Sequence, residues 1–389
     1  MKTLLEKAAE IGPSLAVHIV DEESSRRPSE QTIKTLKENG FLKLFLPKSL
    51  GGLEVDPVTT AKIVETIALH NAGAAWSMMV SNISAWWSSM MPEKGVEEIY
   101  AGDEDVPLAG AFHPPMKAKR VKGGFAITGR SPLASNVSLA KWIFVTAFVT
   151  EHDQVKMNNG VPEMIGVVMN CRDCRIMDTW YTTGMRATDS NDVVAENVFV
   201  PDHLHHPLMP GLTHNRFYSS PLYCFSAIGA SVACLIAPVA LATARSAIQE
   251  LKSLAEKKVP LGSMVSIRER GATQRKLGMA EALVQSSRAY LYETVSASWE
   301  KTLAGNMLSL DERANLLLAA THTNQSCCQA VDLVYSAAGS SALYTKNKIN
   351  YHFSNAQVIR QHGFANDSRY ETAAQVHFGL QPDLPVLAF

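Results

Sequence analysis

Two local groupings in this sequence could hold a metal ion or exchange electrons. Cys171 and Cys174 form a CxxC pair, and His203, His205, His206 and His214 cluster shortly after it. A zinc site built on CxxC needs a second pair at matching spacing, and none follows. The cysteine segment reads as the edge of a strand. The histidines fall in a Pro-bounded loop with no Asp, Glu or Cys set at ligand spacing, so no metal site is expected there. Cys327 and Cys328 lie inside a helical pattern and read as small core residues. Neither GxGxxG nor GxxxxGK[ST] occurs, so no glycine-rich loop is available to cradle a phosphate.

Whatever chemistry the chain performs must be positioned by a largely buried scaffold. Among 389 residues, Lys plus Arg is 36 and Asp plus Glu is 37, a formal charge of −1. That balance offers no footprint for nucleic acid or an acidic membrane. Charged residues are 19% and hydrophobic residues 46%, which excludes disorder and implies a large core, extensive subunit contacts, or both. The N-terminal segment carries Glu6 and Glu10 in an amphipathic pattern, without the apolar run of a secretory signal, so a cytoplasmic protein is expected. Residues 217–244 contain no charge for a length that could span a bilayer. Ser219, Ser220, Pro221, Ser226, Gly229, Ser231 and Pro238 interrupt them, and a buried helix is the better reading.

Three regions follow. Residues 1–102 are helical in pattern: a helix through Ile33 and Leu36 stops at Asn39-Gly40, another runs through Ala61, Val64 and Ile67, and a stripe of Met78, Met79, Trp86, Trp87 and Met90 reads as core. Residues 103–218 carry short strands, with a hairpin turn at Lys122-Gly123-Gly124 and apolar runs at 142–149, 164–169 and 193–200. Residues 219–389 return to long, alanine-rich helices, one opened by the capping box Ser309–Glu312. The class is α+β, mostly α: a helical domain, a central β barrel or sandwich, and a C-terminal four-helix bundle.

This order resembles the acyl-CoA dehydrogenase superfamily. Phe45-Leu46-Pro47 with Gly51-Gly52 is similar to its Pro…GG turn. The segment Ala126–Asn136 followed by Ala140-Lys141-Trp142 looks like I-N-G-x-K-x-W-I-T-N. Asp178-Thr179-Trp180 with Gly184–Ser190, leading to Phe199-Val200-Pro201, resembles the next β-domain signature. Ala337–Ser341 is similar to the glycine turn before the final helix. The resemblance implies a flavin between the β domain and the bundle, in a homotetramer. By motif position it places Ser135 near the flavin N5 with Asn136 beside it, and adds Ser190 and Gly339 as cofactor residues. Arg268 is a candidate for the flavin phosphate, with a solvated helical face as its other reading.

Departures from the dehydrogenase pattern indicate the branch. Tyr370-Glu371-Thr372 looks like the Y-E-G-T that carries the dehydrogenase base. Registering Arg369 on the family's arginine, however, puts that base near Phe378, where there is no carboxylate, and puts His377 where the reduced-flavin monooxygenases have an active-site histidine. The T-E-P-x-x-G-S-D segment is replaced around Phe112–Lys117, and R-x-F-G is not evident. Such a chain would bind reduced FMN or FAD transiently, supplied by a separate NAD(P)H:flavin reductase. With dioxygen it would oxygenate a small aromatic, heteroaromatic or amine substrate through a C4a-hydroperoxyflavin. His377 would be the catalytic histidine, with Trp76, Asn82 and His113 as pocket candidates. An acyl-CoA dehydrogenase using Glu371 and an inert flavin-binding scaffold stay open as alternatives.

Overall fold

The structure is a computed structural model that describes residues 2–100, 107–158, 160–208, 215–384 and 387. His214 and the expected first boundary at residue 102 lie outside the described residues. The N-terminal part comprises α1 (Leu4–Ala16), α2 (Ile19–Ser25), α3 (Glu30–Glu38), α4 (Pro57–Ala68), α5 (Ala72–Ser88) and α6 (Glu93–Tyr100). Side-chain caps set several starts: Thr3, Ser29, Asp56 and Asn71 accept the amides of Glu6, Thr32, Thr59 and Ala74. Gly40, at φ 77°, stops the chain after α3 as its backbone freedom allows. Every residue of α5 is buried, so this helix is enclosed on all sides.

The central strands are β1 (Ala109–Val121), β2 (Gly124–Ala134), β3 (Trp142–Glu151), β4 (Gln154–Val155), β5 (Met157–Asn158), β6 (Val161–Pro162), β7 (Met164–Asn170), β8 (Arg175–Met177), β9 (Asn191–Pro201) and β10 (His205–Pro207). The main sheet runs β10-β7-β3-β1-β2-β9-β8, with β4 on β3 and a separate β5-β6 ribbon. The expected hairpin is present, Arg120 opposite Phe125 and Val121 opposite Gly124. β1 and β3 are parallel, and their register slips between Ala111 and Met116. Two readings change here. His205 and His206 are not in a loop: they pair with Val167 and Gly166 of β7. The CxxC spans a 3-10 turn, Cys171–Asp173, between β7 and β8, where burial pushes Cys171 up to about 12 and Cys174 up to about 11. Those thiols stay protonated and unreactive at neutral pH.

The C-terminal part comprises α7 (Ala227–Ser231), a π turn (Val232–Ile236), α8 (Ala237–Lys257), α9 (Gly271–Leu303), α10 (Leu310–Ala338), α11 (Lys348–Ile359) and α12 (Arg369–His377). The uncharged segment enters the helical run Gly229–Lys257. Among the described residues this is the one helix long and apolar enough to cross a membrane, and 89% of its apolar window is buried inside the protein. The glycine turn at Gly339 precedes α11, with α12 still to follow, so it is not the turn before the final helix. Glu65 of α4 ties the two helical parts together. Its buried carboxylate meets Arg245 of α8, and from α9 it meets Arg288 Nε at 3.0 Å and Tyr292 OH at 2.6 Å.

Candidate functional site

Helix α5 packs against β1 and β3 on one side and α8 on another, and so delivers Trp76 to the end of β2. There Trp76 Nε1 donates to Ser135 Oγ at 3.2 Å. Ser135 Oγ lies 2.6 Å from Ser190 Oγ, which lies 2.6 Å from Thr188 Oγ1, and Thr188 donates to the carbonyl of Met185 at 2.9 Å. The two loops are also joined through the backbone, with Asn136 N donating to Thr188 O at 3.1 Å.

Both loops carry strained backbone at this point. Leu133 and Asn136 flank Ser135 at φ 62° and 65°, and Met185 and Asp189 enclose Arg186–Thr188 at φ 50° and 51°. Left-handed non-glycine residues cost on the order of 1–2 kcal/mol each and persist where surrounding contacts over-determine them. Asp189 supplies such contacts: its buried carboxylate accepts Ser138 N at 2.7 Å, Ser138 Oγ at 2.9 Å and Asn191 Nδ2 at 2.8 Å. Asn136 Nδ2 donates to Ser77 O at 2.9 Å, while its Oδ1 is buried without a partner.

Aromatic rings wall the other side. His362, in the break between α11 and α12, lies 5.6 Å centroid to centroid from Trp76 and 5.8 Å from Phe364. Phe364 meets Phe112 at 5.9 Å, and Phe112 continues to Trp87 at 5.9 Å and Phe144 at 5.3 Å. Such edge-to-face and tilted arrangements suit aromatic quadrupoles. His362, Phe364 and Phe112 are half-buried, whereas Trp76 and Ser135 are buried. Desolvation pushes the His362 imidazole down to about 4, so it is neutral at pH 7. The Phe364 amide donates to His362 Nδ1 at 3.3 Å, which leaves the proton of the neutral ring on Nε2. His362 therefore presents a hydrogen-bond donor and is no base at neutral pH.

The residues singled out from sequence separate into two groups. Trp76, Ser135, Asn136 and Ser190 come together. Asn82 is a strut: it accepts Phe45 N at 3.1 Å and donates to Phe41 O and Met78 O, both at 2.8 Å, so its amide fastens the 41–45 turn to α5. His113 is exposed, while its neighbour Phe112 faces the ring cluster, as strand alternation requires. His377 is exposed, 3.6 Å from Asp311 at the start of α10. Asp311 precedes Asn324 by thirteen residues, about 20 Å of helix. Asn324 holds the carbonyls of Ile359 and Ala365 on either side of His362. His377 and Glu371 are both exposed on α12.

Gly339 lies elsewhere, in a cleft of about 440 Å³ that includes Lys258, Arg270, Lys276 and Ser336. Lys258 Nζ donates to Ala338 O at 2.5 Å and Lys276 Nζ to Ser336 Oγ at 2.6 Å. Arg268 is exposed on the adjoining turn, and Arg270 is the arginine that reaches the cleft. His362, Phe364, Phe112 and Thr188 were not identified from sequence. The one signal that could have found any of them is the His362-Gly363 step, which follows the end of α11 at Ile359.

Comparison with known proteins decides the family. Residues 8–98 match the model of the acyl-CoA dehydrogenase N-terminal domain, and residues 234–367 match that of its C-terminal domain. The chain belongs to the acyl-CoA dehydrogenase superfamily. Within this superfamily it is 29% identical to indole-3-acetate monooxygenase of Pseudomonas putida over 92% of this chain and 89% of that protein. It is 26% identical to the oxygenase component of p-hydroxyphenylacetate 3-hydroxylase of Acinetobacter baumannii, over 98% and 90%. Solved structures of the same superfamily fold include XiaF from Streptomyces sp. in complex with FADH2 and glycerol, at TM-score 0.88 and 22% identity over 98% of this chain and 96% of that one. The HsaA monooxygenase of Mycobacterium tuberculosis superposes with TM-score 0.87 and 23% identity, over 98% of each chain. The relatives that cover most of the chain are thus named as a monooxygenase and a hydroxylase oxygenase component.

Proposed function

We propose that the chain is the oxygenase component of a two-component system, receiving reduced flavin from a separate reductase and oxygenating a planar aromatic or heteroaromatic substrate. The observation that carries this reading is the hydroxyl chain Trp76–Ser135–Ser190–Thr188 lying beside the Trp76–His362–Phe364–Phe112 rings. The donors and acceptors fit a flavin: Ser135 retains an unused lone pair at the end of β2, and the Asn136 Oδ1 acceptor beside it is unpartnered. When bound, reduced flavin would supply the activation of dioxygen.

The chain's own residues would then do three things. Ser135, Asn136 and Ser190 would orient the flavin's polar edge. Phe112, Phe364 and Trp76 would stack or edge against an aromatic substrate and exclude water. His362 Nε2–H would donate a hydrogen bond to an oxygen atom in the site, the role that the resemblance had given to His377. Glu371 is exposed on α12 and makes none of the contacts that gather around Ser135 and His362.

The cationic cleft at Gly339 suits a flavin phosphate. Within one chain, Asn324 and Ala338 are fourteen residues apart, about 21 Å of helix, further than a ribityl phosphate reaches from its own ring. A second copy would have to bring its cleft to the ring site, which supports an oligomer. The test uses reduced FMN or FAD, dioxygen and a planar probe such as indole. Oxygenated product that is lost in Ser135→Ala and His362→Ala but kept in His377→Ala supports the reading. Product formed equally by all three variants contradicts it.

A further inference from the structure

The hydroxyl chain has a direction. A hydroxyl has one proton to give, and a carbonyl can only accept. Thr188 Oγ1 donates to Met185 O at 2.9 Å, so its proton is committed there. In the 2.6 Å contact between Ser190 and Thr188, Ser190 must then be the donor. In the 2.6 Å contact between Ser135 and Ser190, Ser135 must in turn be the donor. Trp76 Nε1–H can only donate, and it does so to Ser135 Oγ at 3.2 Å. Ser135 is left with no free proton and one free lone pair. Reversing the chain would take Thr188 off the Met185 carbonyl and turn its proton to Ser190.

We propose that Thr188 and Ser190 are positioning residues that hold Ser135 Oγ as a hydrogen-bond acceptor, and that this polarity makes the site select reduced over oxidised flavin. The chemical basis is general: reduced flavin carries hydrogen on N5 and donates there, whereas oxidised N5 has only a lone pair. An acceptor facing N5 favours the first, and two facing lone pairs penalise the second. The inference rests on Ser135 lying at the flavin edge, as proposed above. The strained residues Leu133, Asn136, Met185 and Asp189 hold the two loops in the register that the chain requires. A protein fed by a diffusing reduced flavin gains from this polarity, because spent oxidised flavin is released without competing for the site.

The experiment is an anaerobic titration of the full-length protein with oxidised and with photoreduced FMN, giving the ratio of the two dissociation constants. Thr188→Val removes the anchor on Met185, freeing Ser190 to donate to Ser135 and Ser135 to donate onward. Its oxidised-to-reduced ratio is expected to fall about tenfold, the worth of one hydrogen bond. Thr188→Ser, which keeps the hydroxyl, restores the wild-type ratio, whereas a purely steric role of Thr188 would leave Thr188→Ser impaired and Thr188→Val near normal. Ser190→Ala, which breaks the chain without touching Met185, is expected to lower the ratio as Thr188→Val does. An unchanged ratio in both Thr188→Val and Ser190→Ala, with Ser135→Ala still weakening reduced FMN, overturns the relay but leaves the site standing. If Ser135→Ala leaves both affinities unchanged, the flavin edge is elsewhere, and the site and the relay fail together.

Discussion

His362 is where chemistry and position meet most closely in this chain. Burial keeps its imidazole neutral, and the Phe364 amide assigns the proton to Nε2, so it acts as a donor of fixed direction. His362→Ala is expected to lower product formed per reduced flavin consumed by about tenfold or more, with peroxide released instead. His362→Gln, which keeps a donor, should recover part of that loss. His377→Ala should leave coupling unchanged; both outcomes are read by comparing product with peroxide. The Arg369-to-His377 spacing singles out His377 in the sequence, and nothing in that spacing draws attention to His362. What fixes His362 is remote: the Asn324 amide, on another helix, holds the chain break that aims it. No pattern local to residues 359–366 reports that contact. Ser135 and Ser190 could be singled out because their motifs end strands and turns, and the structure brings their hydroxyls within 2.6 Å of each other.

Among the elements, α5 matters most, since its burial on every side lets one helix serve the core and the site together. The Glu65 network fixes α4, one turn before α5, against α8 and α9. Glu65→Ala is expected to cost about 1–3 kcal/mol in urea unfolding, below the roughly 3–5 kcal/mol of a fully buried pair, because Arg245 and Arg288 reach solvent at 42% and 44%. Two other buried histidines set an acid limit. His206 on β10 and His352 on α11 are each pushed down to about 4 by burial. The unfolded chain, near 6.5, binds more protons between those values, so their stabilisation is complete above pH 6.5 and is lost as pH falls towards 4. Unfolding midpoints should therefore drop steeply across that window, and His352→Gln should flatten the drop. At this scale the hairpin and the capped helices were readable, because turn glycines and side-chain caps act within a few residues. The strand at His205 was not readable, because its partner β7 lies far earlier in sequence and the Pro-bounded segment carries no alternation of its own.

For the whole molecule, the deficit of charge is largely explained by α5 and the Gly229–Lys257 helical run, both enclosed within one chain. Apolar side chains still stand outside: Leu261 and Met264 are almost fully exposed beside the Gly339 cleft, and Phe378 is 81% exposed after α12. With Asn324, which braces the His362 turn, and Ala338, at the Gly339 cleft, about 21 Å apart along α10, the proposed assembly would have one copy's cleft serve the ring site of another. Light scattering should give an oligomer, and Leu261→Asp with Met264→Asp should weaken both assembly and FMN affinity. A monomer that binds flavin as tightly as the assembly would contradict this arrangement. The measurement that bears most directly on the central claim is isotopic. The complex with reduced FMN, mixed with ¹⁸O₂ and indole, should yield product carrying ¹⁸O in the wild type and in His377→Ala, and little in Ser135→Ala or His362→Ala. Unlabelled product, or peroxide alone from the wild type, would contradict it.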